Sequence, residues 1–153
     1  MKRTIFPAQK GDPAPLRATI SRRARFEETD LLAIVWHGRY ASYFEDARTA
    51  LGERYGIGYL AFYEHGILAP IKQLHLDYNR PLRFQEECFV EAVLHWSDSA
   101  RINMSYIITD SSGAVTTTGH TVQVMLDRDF NLLLVPPPFY AEFRERWRSG
   151  ELV

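Results

Sequence analysis

Residues 26–48 read FEETDLLAIVWHGRYASYFEDAR, and a change of period inside this stretch decides how the chain folds. Asp30 is followed by six residues without an ionisable side chain, 31–36, and then by His37 and Gly38. From Tyr40 onward, Tyr40, Phe44, Ala47, Leu51 and Tyr55 recur at spacings of four, three, four and four, which is one face of a helix. Tyr43 widens that face, while Arg39, Asp46 and Glu53 fall elsewhere. Gly56 and Gly58 supply the stop. The spacing predicts one helix over 37–55, about five turns long, with aromatics around much of its girth and the rest of the fold enclosing it. A surface loop has no need of Leu31, Leu32, Ile34, Val35 and Trp36 together. A reacting group that works away from bulk water does, so the run is expected to line a dry pocket.

On either side of this helix the period is two. Upstream, Leu16, Ala18, Ile20, Ala24 and Phe26 alternate with Arg17, Thr19, Ser21, Arg23 and Arg25, and Arg22 interrupts the apolar face. Residues 1–15 are aperiodic and bear Pro and Gly, which predicts a flexible arm ahead of a single domain over 16–148. Downstream, 57–66 is a second short helix or a loop. Four strands follow, carrying Leu74, Leu76 and Tyr78; Cys88 to Trp96; Ile102 to Ile108; and a Thr-rich stretch over 115–126. Asn79-Arg80-Pro81, Ser97-Asp98-Ser99 and Asp110 to Gly113 punctuate them. Short turns predict antiparallel neighbours in chain order. Phe139, Phe143 and Trp147 mark a closing helix. The class is α+β, with an antiparallel sheet wrapped around one long central helix. Both the hotdog fold and a cystatin-like wrap meet this pattern.

The totals narrow the function. With 46% hydrophobic and 24% charged residues among 153, the chain has an ordinary globular composition and enough length for a core. The single cysteine, Cys88, makes no internal disulfide. Metal-ligand spacing, GxGxxG and phosphate-loop motifs are absent, so neither a metal nor a cofactor is expected. No apolar run approaches the roughly 20 residues of a membrane span, and 1–15 lack the apolar core of a signal peptide; a cytoplasmic protein is expected. Net charge is −1, yet residues 1–25 hold seven Lys/Arg against Asp12 alone. That basic segment suits a guarded edge strand or a phosphate contact. No nucleic-acid module is present, and nucleic acid is not expected as a partner.

Asp30 through Tyr40, followed by Tyr43-Phe44-Glu45-Asp46-Ala47-Arg48, resembles the hotdog acyl-CoA thioesterases, in particular the 4-hydroxybenzoyl-CoA and Tol–Pal-associated branch. Tyr78-Asn-Arg-Pro81 and Tyr106 with Gly113 extend the likeness over roughly residues 16–140. The resemblance implies the hotdog fold and hydrolysis of an acyl-CoA to free acid and CoA, without metal or redox cofactor. It implies Asp30 as general base or nucleophile. Donors to the oxyanion would be the first helical amides, at His37 or Gly38. It also implies a homodimer or a homotetramer with the site at a subunit interface. Trp36 and Tyr40 would line the substrate. The family's glycine three after the aspartate is Ala33 here, in a position where positive φ would strain alanine. The branch's basic turn after a Trp is here Ser97-Asp98-Ser99, so phosphate contacts fall to Arg80, Arg101 or the N-terminal arginines, or the carrier is an acyl carrier protein.

Other readings of these residues stay open. Asp30 also suits a turn cap, and His37 an N-terminal helix residue bonded to backbone. Glu45 and Arg48, three apart, suit a plain ion pair. His65, His75, His95 and His120 are assigned no chemistry. Rival functions are a hydratase or dehydratase, and a non-catalytic acyl-CoA-binding protein.

Overall fold

Leu16, Ala18 and Ile20 turn inward from β1 (Leu16–Arg23) and begin a sheet that closes around the long helix. A computed structural model describes residues 4–152. The helix, α1 (Tyr40–Tyr55), buries Tyr40, Tyr43, Phe44, Ala47, Leu51, Gly52 and Tyr55, the face that the spacing predicts. Gly56 ends it at φ 75°, with its N–H donating to Gly52 O. The first predicted turn differs. His37–Arg39 is a 3-10 turn in which Arg39 N–H donates to Trp36 O at 2.9 Å, and α-helical bonding starts only at Tyr40. No side chain caps this entry, and the tighter turn takes up the orphan amide instead.

The remaining elements are α2 (Tyr59–Glu64), β2 (Ile71–Tyr78), β3 (Glu87–His95), β4 (Arg101–Asp110), β5 (Val115–Val124) and α3 (Pro138–Arg148). The five antiparallel strands run in the order β1-β3-β4-β5-β2. Three of the strands expected to neighbour one another in chain order do so, β3 to β5. β2 does not, because it pairs with β5 at the far edge rather than with β3. Asn79 and Arg80 N–H groups both donate to Thr116 O, which keeps the chain on β5 beyond the end of β2. Residues 81–86 then cross below the helix entry, with Leu82 fully buried. Cys88, Val90, Ala92 and Leu94 of β3 and Ile102, Met104, Tyr106 and Ile108 of β4 complete the inner layer. Phe44 stacks on Tyr106 at 4.4 Å and 6°. Gly119 on β5 makes that approach possible, since a Cβ there would strike the Phe44 ring and His75 O.

Phe26, expected on the inner face of β1, lies instead in a 3-10 turn (Phe26–Glu28) and is exposed. Arg23 is the last strand residue, so Ala24 alone carries the apolar face onward into the core. Residues 4–15 of the arm have no helix or strand; 1–3 lie outside the described residues. Phe6 packs against His95 and His120 on the outer face of the sheet, and Trp147 of α3 donates to Ala14 O at 2.8 Å. β2 is exposed on both faces except at half-buried Leu76. Among the described residues no helix is long and apolar enough to cross a membrane.

Candidate active site

Asp30 opens a tight hairpin turn. Its N–H donates to Ile34 O, Ala33 N–H returns to Asp30 O, and Leu32 N–H donates to Asp30 Oδ1 at 2.8 Å. The carboxylate therefore does cap its own turn, and Oδ2 has no hydrogen-bond partner among the described residues. Ala33 sits at φ 58°, the left-handed region that favours glycine and costs an L-residue roughly 1–2 kcal/mol. The turn throws Leu31 and Leu32 off its tip, 105% and 74% exposed, and leaves Trp36 half out as well. Of the apolar run only Val35 is buried. Within one chain these residues do not form the dry pocket expected of them; a turn this short leaves its central side chains nothing of the same chain to pack on.

From Trp36 the chain enters the 3-10 turn. Neither His37 N–H nor Gly38 N–H donates to any group among the described residues, so two amides stand free at the entry to α1. The Trp36 indole lies across Gly38 so closely that a Cβ at 38 would meet its six-membered ring. The His37 carbonyl is held by Tyr78 OH at 2.8 Å, and the exposed His37 ring lies 4.9 Å from Trp36 and 6.5 Å from Tyr78 between centroids. Tyr40 is buried; its oxygen accepts from Leu82 N–H at 3.3 Å, and burial raises the phenol pKa. It props the entry from inside rather than facing outward.

An ionic cluster centred on the buried Glu28 fixes this segment. Glu28, 3% exposed, accepts from Arg22 Nη2 at 2.5 Å, from Arg25 N–H at 2.9 Å and from Tyr43 OH at 3.1 Å. Arg22 also reaches Asp46 at 2.6 Å, and its guanidinium lies 3.7 Å above the Tyr43 ring. Trp36 N–H donates to Glu28 O at 2.8 Å, closing the hairpin onto the cluster. Glu28 and Arg22 have no part in the motif reading, and Tyr43 enters it without a role. The signal for them is Arg22 itself, a charge on an apolar strand face that needs a buried partner. Cys88 is no nucleophile, because burial raises its thiol to about 11.

Trp36, His37, Gly38 and Tyr40 thus meet at the helix entry, joined to Asp30 by the hairpin. Arg80 lies two residues beyond Tyr78, the last residue of β2, at the same end of the sheet. Arg101 begins β4 opposite Val124, at the other end, and is not brought to the site within one chain. Arg22, Arg23 and Arg25 edge a polar recess with Phe26, Ser42 and Phe84; Arg22 is consumed by Glu28, whereas Arg23 and Arg25 stay exposed.

YneP of Bacillus subtilis (strain 168), whose name gives it a proposed acyl-CoA thioesterase activity, is 26% identical over 69% of this chain and 76% of its own. A proposed esterase of Aquifex aeolicus (strain VF5) is 30% identical over 61% of this chain and 73% of its own. The DHNA-CoA thioesterase of Staphylococcus aureus superposes with a TM-score of 0.76 at 25% identity, over 90% of this chain and 97% of that one. The described fold is accordingly the hotdog fold. The family model described as the thioesterase-like superfamily matches residues 24–146, and the chain belongs to that superfamily.

Proposed function

We propose that the protein hydrolyses an acyl-CoA thioester to the free acid and CoA at the entry to α1, in the manner of the 4-hydroxybenzoyl-CoA and Tol–Pal-associated branch. The observation that carries this is the pairing of an exposed carboxylate having one free oxygen, Asp30 Oδ2, with two unbonded amides, His37 and Gly38, on one hairpin-to-helix segment. A carbonyl seated on those amides gains donors aimed at the charge that develops on its oxygen. Asp30 takes a proton from water as the water oxygen bonds the carbonyl carbon; the carbon–sulfur bond then breaks and the proton passes to the departing thiolate. Direct attack by Asp30 reaches the same products through an anhydride that water opens. Ala33 in the left-handed region supports the reading, since such strain is retained where a local geometry is required.

Leu31, Leu32 and both faces of β2 need cover, and a homodimer or homotetramer supplies it, with partner residues drying the site. Exposed Arg23 and Arg25 around the polar recess, with Arg80, are the phosphate contacts; an acyl carrier protein is the alternative carrier. The use of Asp30 Oδ1 as a turn cap favours a second reading, a non-catalytic acyl-CoA-binding protein. Thiol release from a panel of acyl-CoAs separates the two. Turnover supports hydrolysis, whereas tight binding of the same esters without turnover supports the second reading.

A further inference from the structure

The large apolar cavity of this chain does not open at Asp30. It lies toward the other end of α1, beneath α2, with a volume of about 580 Å³, well within the range of small-molecule sites. Leu51, Ile57, Phe62, Leu68, Ile102 and Met104 make up much of its wall. Most polar groups that reach it are engaged with one another, but the buried Arg48 Nη1 has no partner among the described residues. Gln123 Nε2 donates to Ala69 O at 2.6 Å. Arg48 pairs with Glu45 at 2.5 Å and also meets Tyr59 OH, which donates to Glu45 Oε2 at 2.9 Å. A guest would find one free donor there, Arg48 Nη1, while apolar atoms along the rest of the wall gain from burial.

One flank of α1 connects this cavity to the helix entry. Ser42 and Asp46 turn toward Arg22 on β1, and Arg54 toward Arg17 O. Ala41, Glu45, Arg48 and Gly52, spaced by four, three and four, follow the opposite flank. At its upper end Tyr78 of β2 holds His37 O and packs on Tyr40; at its lower end Arg48 and Gly52 line the cavity. Leu74 and Leu76 share the Tyr78 face of β2, and Leu74 and Tyr78 are exposed. Apolar side chains of β2 therefore border this flank, on which Glu45 and Arg48 pair with each other, between the free amides and the cavity. Gly38 and Arg48 are ten residues apart, about 15 Å at the helical rise. An extended hydrocarbon chain advances about 1.25 Å per carbon, given single bonds of about 1.5 Å, so about twelve carbons reach the cavity rim and more are needed to enter. An aryl ring attached to the thioester carbonyl stops short and leaves the cavity empty.

Taking the position of the thioester from the function proposed above, we infer that this cavity receives the far end of a long acyl chain, which makes long-chain aliphatic thioesters the substrate class. The test is kcat/KM for butanoyl-, octanoyl-, dodecanoyl- and hexadecanoyl-CoA and for benzoyl-CoA. Two variants accompany the wild type. Ala69→Phe fills the cavity from its wall, and Thr49→Trp fills it from its exposed rim without altering a core residue. The rate constant should rise at least ~10-fold from octanoyl to hexadecanoyl, a modest share of the roughly fourfold per buried methylene that full burial allows. Both variants should collapse that ratio. Equal or better turnover of octanoyl- or benzoyl-CoA, or a ratio untouched by either variant, overturns the inference. If no thioester is hydrolysed, direct binding still decides it. cis-Parinaric acid, a fluorescent eighteen-carbon polyene, should bind saturably, be displaced by hexadecanoate but not benzoate, and lose at least ~10-fold in affinity in Thr49→Trp, the scale of a few buried methylenes. Absence of saturable binding to the wild type overturns the cavity assignment whatever the reaction.

Discussion

The flank of α1 that faces β1 is tied down by buried charge, whereas the flank that faces β2 carries exposed apolar side chains and a cavity. On the first, Arg22, Glu28, Tyr43 and Asp46 satisfy one another and hold the hairpin that bears Asp30. On the second, Leu74 and Tyr78 are exposed beside a helix whose polar groups, Glu45, Arg48 and Tyr59, pair with one another and leave Arg48 Nη1 without a partner among the described residues. A buried ionic cluster fixes position because any displacement leaves a charge uncompensated. An apolar surface can instead exchange water for a ligand or a partner. In the proposed function, one side of the helix locates the chemistry and the other is free to bind.

Removing the tie should have the largest effect. Glu28→Ala removes the buried acceptor shared by Arg22, the Tyr43 hydroxyl and the Arg25 N–H, leaves Arg22 only the exposed Asp46, and should cost roughly 3–5 kcal/mol in chemical denaturation; a loss within ~0.5 kcal/mol, the scale of a surface site, would show that the β1 flank is not held this way. Leu51 lies under both flanks at 1% exposure, so Leu51→Ala should cost roughly 2–5 kcal/mol. A surface-scale change there would break the account of an enclosed helix. Ala33→Gly relieves the left-handed alanine and should stabilise by about 1 kcal/mol. A destabilisation would mean that Ala33 contributes contacts the strain argument ignores. On the open flank, Leu74→Glu should change the stability of the isolated chain by less than ~0.5 kcal/mol while lowering the sedimenting mass. An unchanged mass would separate the β2 edge from assembly.

What could be read in the sequence was whatever a local period or motif carries. The four-three-four-four spacing from Tyr40 to Tyr55 marked the buried helix face, and Gly56 its end, because both depend on neighbours along the chain. The place of β2 was not legible. Thr116 O captures the amides of both Asn79 and Arg80, and that contact joins residues far apart in sequence. Phe26 misled because alternation continues on paper past Arg23, where the backbone has already turned. At the site, Asp30, Trp36, His37 and Gly38 were legible as a motif. Whether Leu31 and Leu32 are dry was not, since this chain's own contacts leave both exposed. Arg22 announced a buried partner without naming Glu28, and the cavity drew its wall from α1, α2, β4 and β5, which no single stretch reveals.

The central claim, that Asp30 and the amides beside it hydrolyse a thioester, is tested most directly by thiol release from hexadecanoyl-CoA with the wild type and Asp30→Asn. Asparagine keeps the size and can still accept from Leu32 N–H, so the turn survives while the charge is lost. Turnover should fall at least ~100-fold, the usual scale for removing a base, with unfolding unchanged. Near-normal turnover by a folded Asp30→Asn protein would contradict the account.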